Sequence, residues 1–64
     1  MNLFELLSHT WESQIIEVFT LDEKGNTVYL YRGKNYGIDD LIKNHGIDEI
    51  KWQYATGDNL VVRV

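Results

Sequence analysis

Residues 47–54, I-D-E-I-K-W-Q-Y, set Ile50, Trp52 and Tyr54 against Glu49, Lys51 and Gln53. A period of two is the signature of a strand with one buried and one wetted face. It predicts that Ile50, Trp52 and Tyr54 face the core. A polar loop, A-T-G-D-N at 55–59, and a second β-rich stretch, L-V-V-R-V at 60–64, complete a hairpin. In that stretch Leu60, Val62 and Val64 share one face, with Val61 and Arg63 on the other.

The first half of the chain repeats the pattern. S-Q-I-I-E-V-F-T-L at 13–21 and T-V-Y-L-Y-R at 27–32 are rich in β-branched and aromatic residues and flank D-E-K-G-N. Apolar groups on both faces of 13–21 mark a central strand. In 27–32, Val28 and Leu30 fall on one side and Tyr29 and Tyr31 on the other. That arrangement predicts two tyrosines standing together on an open sheet face.

Two segments carry helical spacing. Asn2, with Glu5 three residues on, forms a capping box for a short helix over 2–8. Two turns are not stable alone, so this helix must lie on the main body. G-I-D-D-L-I-K-N-H at 37–45 places Asp39 and Asp40 in its first turn and Lys43 and His45 in its last, matching the helix dipole, with Gly46 beyond the end. The fold class is therefore α+β: a short N-terminal helix, then β-β-α-β-β, with an antiparallel four-stranded sheet and a helix on one face. The alternative is a small, partly open β-barrel. The terminal strand, opposed only by Arg63, is a candidate sheet edge for pairing with a symmetry mate or a partner's strand.

At 64 residues the chain is a single domain, 1–64, with a small core. It has no cysteine to cross-link it and no proline. Packing, a partner or self-association must stabilise it. The apolar fraction of 44% belongs to a globule and not to a disordered tail. No apolar run approaches the length of a membrane span, and the N-terminus lacks the basic start of a signal peptide. A cytoplasmic location and a complete small gene product are the expectation. The net charge of −4 argues against generic nucleic-acid binding, which relies on neutralising phosphates.

No catalytic or ligand-holding constellation emerges. Gly33 and Gly37 fit neither phosphate-loop spacing, and Asp39 and Asp40 already occupy the helix start. His9 and His45 lie on separate elements, and His45 reads as a helix C-terminal cation. No G-x-S-x-G surrounds a serine. Neither a metal nor a cofactor is expected, and an enzyme is not expected.

What remains is surface. Tyr29, Tyr31, Arg32, Lys34 and Tyr36 form a basic–aromatic patch, and Asp39 and Asp40 head an acidic set. Together they read as partner-binding residues. The expected function is a small non-enzymatic protein-interaction module, a regulator or inhibitor of a larger partner, of the kind phages or prophages encode. The alternatives are a nucleic-acid binder using the sheet face and a structural homo-oligomer paired through a sheet edge.

Overall fold

The computed structural model describes residues 1–64. The elements are α1 (Leu3–Ser8), β1 (Ile15–Leu21), β2 (Thr27–Lys34), α2 (Asp39–His45), β3 (Trp52–Thr56) and β4 (Asn59–Arg63). This is the expected α+β order. The sheet is open, in the order β2-β1-β4-β3. The barrel does not form, because β2 and β3 lie at opposite edges.

Each hairpin is antiparallel, but β1 and β4 pair in parallel at the centre. The connection explains it. Residues 35–51 carry the chain from one edge to the other and return it to the end where β2 began, so β3 runs parallel to β2. Such a crossover needs a dozen or more residues and normally contains a helix, which here is α2. The terminal strand is consequently internal, flanked by β1 and β3, and L-V-V-R-V is not a sheet edge.

Both helices contribute to one side of the sheet. Leu3 and Leu7 of α1 and Leu41 of α2 join Ile16, Val18, Val62 and Val64 in a single apolar cluster. Leu3, Ile16, Val18 and Val62 are fully enclosed. The even-numbered residues of the two central strands thus make the core floor, with Ile16 opposite Leu60 and Val18 opposite Val62.

α1 is held at both ends. Its capping box is formed as the sequence predicts: Glu5 N–H donates to Asn2 Oδ1 at 2.8 Å, and Asn2 N–H to Glu5 Oε1 at 3.1 Å. The amides of Leu3 and Phe4 donate to the carbonyls of Asp48 and Gly46, and Ile50 N–H donates to Met1 O. At the far end, the buried Asn35 donates through Nδ2 to Leu7 O at 2.9 Å and Thr10 O at 3.0 Å. One side chain from the strand-to-helix connection therefore satisfies two carbonyls where α1 ends. The same residue's N–H donates to Gln14 O.

The first hairpin loop is ordered by Asp22. Its Oδ1 accepts from Lys24 N–H at 2.9 Å and Asn26 N–H at 2.8 Å. Gly25, at φ +83°, supplies the left-handed position the loop requires. The amide donors, Asn26 first, hold the Asp22 carboxyl below its ordinary pKa even though it is fully exposed.

Two outcomes follow from this frame. Asn35→Ala strands two carbonyls and is expected to cost about 1–3 kcal/mol, read as a lowered thermal midpoint; an unchanged midpoint would remove Asn35 as the clasp on α1. Asp22 has a depressed folded pKa, so its contribution is complete above the unfolded carboxyl value of about 3.9 and is lost as pH falls through the lower folded value. Asp22→Asn should flatten that acid limb in a stability–pH titration, whereas an identical limb in both proteins would contradict the assignment.

Candidate interaction face of the sheet

The side of the sheet away from the helices is uncovered, and the strand registers define what stands on it. Tyr29, Phe19, Arg63 and Trp52 form one row across all four strands. The next row is Arg32, Glu17, Val61 and Tyr54, and the next Lys34, Ile15, Asn59 and Thr56. Four rings come together here. Phe19 lies 6.3 Å from Tyr29 and 6.3 Å from Trp52, centroid to centroid, and Trp52 lies 6.1 Å from Tyr54. Phe19–Tyr29 is tilted, Phe19–Trp52 edge-on and Trp52–Tyr54 stacked, geometries that aromatic quadrupoles favour.

These rings remain accessible. Tyr29 is 67% exposed, Tyr54 57% and Trp52 48%. Trp52 and Tyr54 therefore do not face the core, contrary to the expectation from the alternation of 47–54. The strand begins only at Trp52, so the phase of the half-buried Ile50 does not carry into it. The helix side of β3 holds Gln53 and Ala55, opposite Val62 and Leu60. β3 is an edge strand whose five residues are all exposed, lying beyond the cover of the two short helices.

The two tyrosines of β2 are likewise separated. The β1–β2 register slips between Val18 and Phe19: Val18 faces Tyr31, but Phe19 faces Tyr29. This bulge absorbs Leu30 and reverses the alternation of the strand. Tyr29 stays on the open face. Tyr31 turns to the helix side, packs against the core and donates from its hydroxyl to Lys34 O at 2.7 Å. Gly33 makes room for it, since a Cβ there would stand 3.0 Å from the Tyr31 hydroxyl. Tyr31 is thus a packing residue, and the pair Tyr29/Tyr31 is not a shared surface.

The remaining candidate residues divide between the two sides. Arg32 and Lys34 lie within β2 on the open face. Tyr36 is exposed in the connection beyond β2, and Asp39 and Asp40 are exposed on α2, in the helical layer. Arg32, Gly33 and Lys34 are therefore strand, and β2 runs two residues past the 27–32 that the sequence predicts. Phe19 and Arg63 also belong to the open face, and no sequence pattern singles them out, because a residue's cross-strand neighbours depend on register.

The electrostatics of this face differ from those of the whole chain. Three of the six basic residues, Arg32, Lys34 and Arg63, stand on it with a single carboxylate, Glu17. None of the three forms an ion pair; the two salt bridges are Met1–Glu49 and His45–Asp48. Arg63 is set between Phe19 and Trp52, its Nε enclosed and without a hydrogen-bond partner. The helical side carries a cleft of about 250 Å³ beside Phe4, Leu7, Asn35, Ile38 and Ile42. No three His, Cys, Asp or Glu side chains converge anywhere, and no helix is long and apolar enough to cross a membrane.

Comparison with protein-family models, with curated proteins and with solved structures returns no match to this chain.

The bulge makes a specific demand. Gly33→Ala puts a Cβ against Tyr31 at a φ of +153°, which side chains rarely adopt. It should lower the thermal midpoint by displacing that ring, and Tyr31→Phe, which loses only the hydroxyl contact, should cost less. Equal effects would argue against close packing at this point.

Proposed function

We propose that this protein is a non-enzymatic protein-interaction module, a regulator or inhibitor that docks on a larger partner through the open face of its sheet. The observation that carries the reading is the open-face ring cluster of Tyr29, Phe19, Trp52 and Tyr54, with the unpaired Arg63 set between Phe19 and Trp52. Aromatic residues and arginine dominate the energetics of protein interfaces, and they do so near the centre of the contact. Here they stand on all four strands, outside the apolar cluster that supports the fold. The matching partner surface is apolar at its centre and supplies carboxylates to Arg63, Arg32 and Lys34. A cytoplasmic accessory factor, of the size phages encode to act on a host protein, suits this reading.

A second reading, single-stranded nucleic acid on the same face, draws on its positive charge and its rings. The ring geometry favours the protein reading. Base stacking needs free ring faces, whereas these rings lean on one another, with Phe19 inclined at 53° to Tyr29 and 61° to Trp52.

Affinity capture from a host lysate tests the proposal. The wild-type chain should retain a partner that Phe19→Ala/Trp52→Ala binds about tenfold or more weakly, with both proteins folded by circular dichroism. Capture that survives the double substitution would exclude this face. Oligonucleotide binding at low salt that weakens steeply as salt rises would transfer the face to nucleic acid.

A further inference from the structure

The sheet has two edges, and only one is defended. β2 carries a bulge, Gly33 and the charges of Arg32 and Lys34, all devices that discourage strand addition. β3, W-Q-Y-A-T, has none of these. It contains no charge, no glycine and no proline, its register with β4 is unbroken, and all five residues are exposed. An antiparallel edge strand leaves the N–H and C=O of alternate residues pointing outward without partners.

We propose that a second copy of this chain occupies that edge: β3 pairs antiparallel with β3 of the second copy about a two-fold axis. Side chains keep to their own faces only if like-sided residues pair, and a register centred on Tyr54 pairs all five residues of the strand. In that register Tyr54 stands opposite Tyr54 of the second copy, Trp52 opposite Thr56, and Gln53 opposite Ala55. Aromatic residues directly opposite each other stabilise a sheet, and no like charges meet. Lys51 of each copy approaches the turn that carries Asp58 of the other, so the ends of the contact are complementary in charge. The result is a continuous eight-stranded sheet in which the two Tyr54 rows join at the axis. This inference does not depend on the docking role of the open face.

A five-residue edge falls well short of the roughly 800 Å² per partner of a standard interface, so the association is a weak, concentration-dependent one. Sedimentation equilibrium of the wild-type chain from about 1 to about 300 micromolar should show monomer passing to dimer across that range. Tyr54→Lys sets like charges at the axis and should weaken association about tenfold or more, while Glu23→Lys, exposed in the first hairpin loop and away from β3, should leave it unchanged. Tyr54→Cys should cross-link under mild oxidation, because directly opposed antiparallel residues have Cα atoms about 4.5–5.5 Å apart, within disulfide reach; Val28→Cys on β2 should not. The chain has no native cysteine to confuse the result. A wild-type monomer throughout that range overturns the proposal. So does a dimer that Tyr54→Lys leaves intact, or cross-linking that Val28→Cys matches. If Tyr54→Lys fails to fold, the wild-type titration and the cysteine pair still decide the matter.

Discussion

The parallel pairing of β1 with β4 joins the two halves of this molecule. Each hairpin by itself is a ribbon with little to bury. Placing Ile16 beside Leu60 and Val18 beside Val62 creates a continuous apolar floor at the centre of the sheet. Because β2 and β3 lie at opposite edges and the central strands run the same way, the chain must cross the sheet between the hairpins and return to the end where β2 began, and the helix of that crossing lies over the floor. α1 completes the cover, fixed at one end by the 46–50 backbone and at the other by the Asn35 amide. Both helices are then committed to one face, and the other face is left to water.

Much of this order is legible in the sequence, and the exceptions share a cause. Asn2 and Glu5 announce α1, and the polar loops announce both hairpins, because capping and turn chemistry are local. A period of two shows that a strand has two faces; it does not say which one is covered. In β3 the aromatic set is the uncovered one, since the helices stop short of that edge and leave Gln53 and Ala55 on their side. In β2 one extra residue, Leu30, turns Tyr31 inward while Tyr29 stays out. The parallel central pair and the Asn35 clasp both depend on contacts between residues far apart in the chain, which no local pattern encodes. The open face was visible only in outline: Tyr29, Arg32 and Lys34 belong to it, but Phe19, Trp52, Tyr54 and Arg63 join them through register alone.

The aromatic row is also structural. In a domain with seven buried apolar residues, rings that shield one another on the outer face add cohesion that the helical side cannot supply. Phe19 is half-buried by its neighbours although no element covers it. Arg63 lies between two of these rings, with its Nε enclosed. Stability and recognition therefore draw on the same side chains.

The one-sided cover gives the molecule an asymmetric tolerance for change. Ile16, Val18 and Val62 answer to the helices above them, whereas the residues between them along the same strands answer only to one another and to whatever meets them from outside. A lineage carrying this gene could exchange the outer set, ring for ring or charge for charge, and acquire a new binding preference without redesigning the scaffold.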